Sequence, residues 1–330
     1  MFLAVHYPSW IHPEIFPGIP ILGLIRWYGL MYIFAFATAI RIFMQLQKEG
    51  LLDSHKRPAT QDDVFGFFTF GIIGLLLGAR IFSTIVYDTS GMYRQAPWLI
   101  FWPFDKGGAF TGLAGMSYHG GFIGGFIGML IWCAKNKRPY LQWIDAMGVS
   151  IPLGYTFGRL GNFFNAELYG RITTMPWGMI FPGAPRFSRS IDWVQKIVEQ
   201  SGMNVDAQTA LINLPRHPSQ LYEAFFEGLV LFALMRFLST KKPVRGVLTG
   251  MYTTGYGIVR FIIEYFREPD ADIGYRISSD PDAPIYFNQS LLNLSTGQIL
   301  CLIMIAGGTL LIAVCIFRTQ KRSAGTDMRT

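Results

Sequence analysis

The chain has 330 residues, 51% of them hydrophobic and 15% charged, with a mean hydropathy of +0.32 and a formal net charge of +7. That balance excludes an ordinary soluble enzyme and describes a polytopic membrane protein. Cys133, Cys301 and Cys315 all fall inside apolar runs, which excludes a disulfide framework, and the five histidines show no metal-ligand spacing, so neither a metal nor a cofactor is expected.

Met1–Pro20 carries no Lys or Arg and no small-residue cleavage site, and it is not read as a cleaved signal peptide. Apolar runs of about 20 residues, the length that spans a bilayer, then predict helices near Ile25–Phe43, Val64–Tyr87, Tyr118–Ala134, Ile144–Asn162, Tyr222–Leu238, Val247–Phe266 and Gly297–Phe317. The expectation is an all-α fold, a single integral membrane domain over 1–330 with about seven transmembrane helices. The third and fifth spans are the shortest, and they are the ones expected to be tilted, interrupted or misplaced. Glycines at 71, 74 and 78 in the second span and at 121, 124, 125 and 128 in the third predict close helix packing. Trp10, Trp98, Trp102, Trp177 and Trp193 read as interfacial anchors. No Walker-type loop or long-period repeat is present.

Charge sets the orientation. With the N-terminus outside, the inner loops and tail carry Lys48, Lys56, Arg57, Lys135, Lys137, Arg138, Lys241, Lys242, Arg245, Arg318, Lys321, Arg322 and Arg329. The outer loop Arg267–Thr296 is rich in acids. This is the positive-inside pattern. The net positive charge therefore reflects topology and contact with anionic lipid, and no nucleic-acid partner is needed. The outer pieces are a small head segment over 171–215, with an amphipathic stretch Ile191–Glu199, and the loop 267–296. Residues 318–330 form an inner tail. Asp105–Gly115 is a glycine-rich stretch expected to form a mobile approach to His119, and 273–295 has no motif to assign.

The densest signal is Gly158-Arg-Leu-Gly-Asn162-Phe-Phe-Asn-Ala-Glu167-Leu-Tyr-Gly170. Ionisable groups at that depth cost roughly 2.5–3.5 kcal/mol each on insertion and usually mark function. If the segment stays helical, about 100° per residue puts Arg159, Asn162, Phe163 and Glu167 on one face. Tyr28, Arg80, His119, His217-Pro-Ser219-Gln220, Arg260 and Glu264 are placed at the same outer depth by the predicted spans. Each alone is compatible with interfacial snorkelling. Together they predict one polar or anionic ligand site. A lipid transporter or flippase is the alternative, weakened by the lack of inverted repeats and by the off-centre polar cluster.

Ser117-Tyr-His119-Gly-Gly121, the Gly158–Gly170 block, Arg216-His-Pro-Ser-Gln-Leu-Tyr-Glu223, Gly255-Tyr-Gly-Ile-Val-Arg260 and Arg26-Trp-Tyr28-Gly-Leu-Met resemble, in order, the motif series of bacterial prolipoprotein diacylglyceryl transferases. The resemblance implies a multi-pass inner-membrane enzyme with its N-terminus in the periplasm and its C-terminus in the cytoplasm, and with a periplasmic head. It implies transfer of the diacylglyceryl group of phosphatidylglycerol to the lipobox cysteine of a preprolipoprotein, releasing glycerol 1-phosphate. Arg159 and Arg260 would take phosphate oxygens, which guanidinium can do in a two-pronged way. Pairing of Arg159 with Glu167, or of Arg260 with Glu264 at i+4, is the structural alternative. His119 is the candidate base, with ionisation of the thiol in the arginines' field and proton loss to water left open. Asn162 and Glu167 would hold the headgroup or the arginines, and Tyr28 and Tyr256 would donate to phosphate or glycerol oxygens. Gly170, Glu264 and Arg80 complete the substrate-binding set. His217, Ser219 and Gln220 are placed at the outer surface for headgroup or peptide contact.

Overall fold

A computed structural model describes residues 4–19, 25–54, 57–88, 91–102, 104, 116–206, 208–269, 274–278, 284–286 and 290–327, with side chains to residue 321 in the last helix. The expected approach segment Asp105–Gly115 lies outside the described residues. In chain order the elements are β1 (Val5–His6), α1 (Trp27–Lys48), α2 (Gln61–Val86), α3 (Met92–Gln95) with a 3₁₀ turn at Pro97–Phe101, α4 (Tyr118–Lys135), α5 (Tyr140–Phe164), β2 (Met179–Ile180), β3 (Arg186–Ser188), α6 (Asp192–Gln200), β4 (Leu211–Asn213), α7 (Ser219–Tyr222), a π-helical segment (Glu223–Val230), α8 (Leu231–Thr240), α9 (Val247–Ile263), β5 (Tyr275–Ile277), β6 (Leu294–Ser295) and α10 (Thr296–Asp327).

Every apolar run read as a span is a helix. Three of them, Trp27–Lys48, Gln61–Val86 and the Thr296–Lys321 part of α10, are long and apolar enough to cross a membrane on length and hydropathy alone. Others carry charged groups inside the apolar run: Arg159 in α5, and Glu223 and Glu227 in the π-helical segment. The expected interruption of the fifth run is this π turn, flanked without a break by α7 and α8. Such turns shift the register of the side chains that follow and recur at functional sites.

The chain divides into two compact units, one formed by 1–42 and 147–330 and the other by 43–146. Within 43–146, α2 packs on α4 through the predicted glycines. A Cβ on Gly74 would collide with the carbonyl of Gly124, and one on Gly78 with that of Gly120. Backbones this close gain dispersion contacts, which drive helix pairing where lipid removes the hydrophobic advantage. At the other end of the pair, Phe43, Phe67, Trp132 and Trp143 form an aromatic core, with Trp132 and Trp143 ring centroids 4.7 Å apart. Thr60 and Asp63 close the N-terminus of α2 as a reciprocal capping box. Asp63 also pairs with the buried Arg138.

In the other unit, α9 packs on α10 by close approach of Gly250 and Gly308. The head segment has its own small core, in which Val194 of α6 packs with Ile172, Ile212 and Leu214. Strands β3 and β4 pair antiparallel over it, and β1 joins β2 in parallel. Trp193 does not stand out as an anchor. It packs edge-on against Phe187, with centroids 5.1 Å apart, because α6 lays its apolar face on the head. The loop 267–296 is tied to the head: Tyr286 enters the same core, Arg171 bonds the Tyr275 hydroxyl and the Ile285 carbonyl, and Arg216 pairs with Glu268.

Candidate active site

The last turns of α5 present Tyr155, Arg159 and Asn162 at i, i+4 and i+7, one stripe of the helix. All the partners described next belong to the same unit. Arg159 Nε donates to the Tyr155 hydroxyl at 2.6 Å and lies 2.9 Å from Glu223 Oε2. Its guanidinium also sits over the Tyr155 ring, 4.7 Å from the centroid. Nη1 reaches Asn162 Oδ1 at 3.5 Å, and Asn162 Nδ2 donates to Glu167 Oε1 at 2.9 Å. Arg159 therefore pairs with a residue of the π-helical segment, and its link to Glu167 runs through Asn162.

Glu223 is the hub. The same Oε2 accepts from Arg260 Nη1 at 2.7 Å and from the Tyr155 hydroxyl at 3.3 Å, while Oε1 is 3.4 Å from Arg267 Nε. The Glu223 side chain is fully buried, with 0% exposure, whereas Arg159 and Arg260 keep 19% and 12%, so the arginines are the more open side of these pairs. Arg260 spans further, to Glu227 at 3.5 Å and Glu264 at 3.1 Å; the i+4 pair expected from sequence is present, but as one contact of three. Arg267 adds a contact to Glu264 at 3.7 Å. Three guanidiniums thus face three carboxylates. Burying such groups is tolerable only with this degree of pairing and hydrogen bonding.

The helical projection of Glu167 is corrected. Helix α5 stops at Phe164, and Ala166 and Leu168 adopt left-handed backbone, with φ of 53° and 56°. Left-handed geometry costs a non-glycine residue about 1–2 kcal/mol, and strain of this kind clusters at functional sites. The turn is fixed from below. Gln220 Nε2 donates to the Glu167 carbonyl at 2.6 Å, and Ser219 Oγ to the Leu168 carbonyl at 3.2 Å. Ser219 and Gln220 are fully buried and so do not stand at an outer surface; they hold the chain reversal that carries Glu167. Gly170 closes the turn by close approach, since a Cβ there would strike the Phe266 carbonyl. Tyr28 lies against Gly161 and shares a 3.1 Å hydroxyl contact with Tyr32. Tyr256 stands edge-on to Tyr155, with centroids 6.0 Å apart.

His217 sits between Tyr222 and Phe266, with Nδ1 3.1 Å from the Tyr222 hydroxyl. Burial, reinforced by Arg171, lowers its pKa from 6.5 to about 4, so the ring is neutral at pH 7. Its folded-state pKa is depressed, so the unfolded chain binds the extra proton first. The stability it contributes is complete above about 6.5 and is lost as pH falls toward 4. Thermal unfolding in detergent is expected to show a lower midpoint at pH 5 than at pH 7. His217→Gln is expected to shrink that difference; an unchanged difference refutes the assignment.

His119 and Arg80 belong to the unit 43–146. His119 is exposed in the first turn of α4, its ring edge-on to Tyr118 at 5.9 Å, behind the N-cap Ser117. Arg80 is 5% exposed; it bonds the Ile100 carbonyl and donates to the Tyr93 hydroxyl at 3.2 Å. It lines a cavity of about 310 Å³ with Ser83, Thr84, Tyr87, Asp88 and Tyr93.

Sequence reasoning gave Glu223 no role, although it closes a quoted motif, and did not single out Glu227, Tyr155 or Arg267. The signal was present, since two glutamates at i and i+4 inside an apolar run are as anomalous as an arginine.

A family model described as prolipoprotein diacylglyceryl transferase matches residues 19–314. A phosphatidylglycerol–prolipoprotein diacylglyceryl transferase of Treponema denticola is 54% identical, covering 98% of this chain and 97% of its own length. Relatives of the same name from Treponema pallidum and Chlorobaculum tepidum are 51% and 39% identical, with 93% and 96% of this chain covered and 93% of each relative.

Proposed function

The chain belongs to the prolipoprotein diacylglyceryl transferase family, and from that premise we propose how its residues perform the transfer. The enzyme moves the diacylglyceryl group of phosphatidylglycerol to the thiol of a prolipoprotein, the first step of lipoprotein maturation. The acceptor is the lipobox cysteine behind a membrane-embedded signal helix. The family does not favour a transporter or flippase.

In the reaction the sulfur attacks the glyceryl carbon that bears the phosphate. A carbon–sulfur bond forms, the carbon–oxygen bond breaks, and its electron pair leaves on glycerol 1-phosphate. The phosphate therefore gains negative charge as the bond breaks, and fixed cationic donors at that oxygen lower the barrier. The single observation that carries this reading is Glu223 Oε2 gripping both Arg159 and Arg260, at 2.9 and 2.7 Å. One carboxylate fixes two guanidiniums at a common point, so their charge is preorganised before substrate arrives. Arg159 spends Nε on that grip, and its Nη1 lies toward Asn162, the side that takes the headgroup. Tyr28, Tyr256 and Gly170 shape this side, with Glu264 holding Arg260, Ser219 and Gln220 supporting the turn and His217 packing beneath. Within the unit 43–146, His119 is kept as the candidate base and Arg80 as a substrate-binding residue, as the motifs imply.

Purified protein, phosphatidylglycerol and a lipobox peptide are expected to yield the thioether, read by mass. No mass gain on the peptide overturns the reading.

Seven spans follow from the apolar runs, and the charge pattern supports placing the N-terminus, the head and the loop 267–296 in the periplasm and the tail in the cytoplasm. A reporter active only outside the cytoplasm is expected to work when fused after Asp280 and to fail after Lys321; the reverse result inverts the topology. Phosphatidylglycerol enters sideways, because keeping its acyl chains in hydrocarbon spares about 0.8 kcal/mol per CH₂.

A further inference from the structure

Transfer releases a proton, and Glu227 is the group of the cluster without another task. Glu223 accepts hydrogen bonds from Arg260 and Tyr155, and Glu264 accepts one from Ser295. Glu227 has the Tyr155 hydroxyl as its side-chain hydrogen-bond partner, but neither oxygen meets a donor at close geometry among the described residues, although the side chain is fully buried. Its short contact is Arg260 Nη1 at 3.5 Å, and Tyr155, Arg159 and Glu223 face it across the cluster. Tyr256 of α9 and Cys301 of α10 complete the titratable surroundings. A carboxylate buried with such weak hydrogen bonding is costly, and in native structures such a group calls for an explanation, a catalytic role among them.

The charge balance supplies one. Arg159, Arg260 and Arg267 match Glu223, Glu227 and Glu264 one for one. A phosphodiester carries one negative charge, and the departing monoester acquires a second. The thiol must shed a proton in the same reaction. If the proton moves to a carboxylate of this cluster, the site loses one negative charge as the phosphate gains one. In a low-dielectric site compensation at short range is what keeps the barrier low. Of the three carboxylates, the one with the weakest hydrogen bonding has least to lose by accepting the proton.

We propose that Glu227 is the proton acceptor of the transfer: the lipobox thiol gives its proton to the Glu227 carboxylate, the sulfur bonds to the glyceryl carbon, and the electron pair of the broken carbon–oxygen bond leaves on the phosphate. The assignment rests on the function proposed above and places the acceptor beside Arg260 rather than on His119.

The test uses the full-length enzyme, phosphatidylglycerol and two peptides, one with cysteine and one with selenocysteine. A selenol is already ionised at neutral pH and needs no base. Glu227→Gln is expected to keep lipid binding and to lose about 10²-fold or more in turnover on the cysteine peptide, with recovery to within about tenfold of wild type on the selenocysteine peptide. Equal losses on both peptides overturn the proposal, as does selenocysteine rescue of His119→Gln in place of Glu227→Gln. Should Glu227→Gln accumulate poorly, Glu227→Asp keeps a carboxyl and is expected to lose less than about tenfold on either peptide. A loss of about 10²-fold or more by Glu227→Asp on the selenocysteine peptide also overturns the assignment. Failure of the wild type to make thioether is a separate outcome and sinks the function itself.

Discussion

Arg260→Lys is expected to lower turnover by about 10²–10³-fold, the loss that follows removal of one preorganised charge contact. The positive charge survives in this variant, so the loss isolates geometry. Arg260 reaches Glu223 and Glu227 through Nη1 and Glu264 through Nη2, at 2.7, 3.5 and 3.1 Å. A lysine ammonium is a point charge without a fork and cannot bridge Glu223 and Glu264 while presenting an edge to phosphate. Arg159→Lys is expected to fall similarly, since Nε carries both the Glu223 and the Tyr155 contacts and lysine has no counterpart to it. Secondary structure and detergent-unfolding midpoint are expected to stay near wild type in both. Near-normal turnover in Arg260→Lys defeats the two-pronged phosphate role.

Glu223→Gln is expected to be the most damaging single change to stability in the membrane core. The amide keeps the shape but removes the charge that Arg159, Arg260 and Arg267 share. Three guanidiniums then face two carboxylates in a site from which water is largely excluded. Breaking a buried pair by removing one partner costs about 3–5 kcal/mol. The Arg26–Glu14 pair is the internal control: at 3.8 Å, with side chains 65% and 34% exposed, it is screened by solvent. Glu14→Gln is accordingly expected to shift the midpoint by an amount worth no more than about 1 kcal/mol. Activity of Glu223→Gln is expected to vanish with the grip on the two arginines. A midpoint shift no larger than that of Glu14→Gln contradicts the hub assignment.

Much of the fold was legible because hydropathy is a local property. A run of apolar side chains long enough to span must bury its backbone polar groups in its own hydrogen bonds, and helix is the form that does so within one segment. The helices α1, α2 and α10 therefore fall where the apolar runs fall, as do α4, α5, α8 and α9. Gly74, Gly78, Gly124 and Gly128 could be read as packing residues from their spacing alone, and the backbone carbonyls lie where they require, with Gly120 added by the structure. Arg159, Asn162 and Glu167 announced a site because charge inside an apolar run is expensive wherever it sits.

The partners were another matter. Sequence offered Arg159 a carboxylate two turns on and Arg260 one at i+4, because those are the neighbours a single helix can see. The structure gave both arginines Glu223, 64 residues from the first and 37 from the second. Nothing in hydropathy sets the rotation of one span against another, since lipid is as apolar as leucine and does not tell the faces apart. The chain reversal at Ala166–Leu168, the π turn that carries Glu223 and Glu227 and the buried bonds from Ser219 and Gln220 are likewise decided by contacts made across the unit. The sequence by itself determined the membrane class, the helices and the chemical kind of the site. Tertiary packing alone decided which carboxylate holds the arginines and which is left for the proton, because ion pairing is settled by distances between spans that no local pattern encodes.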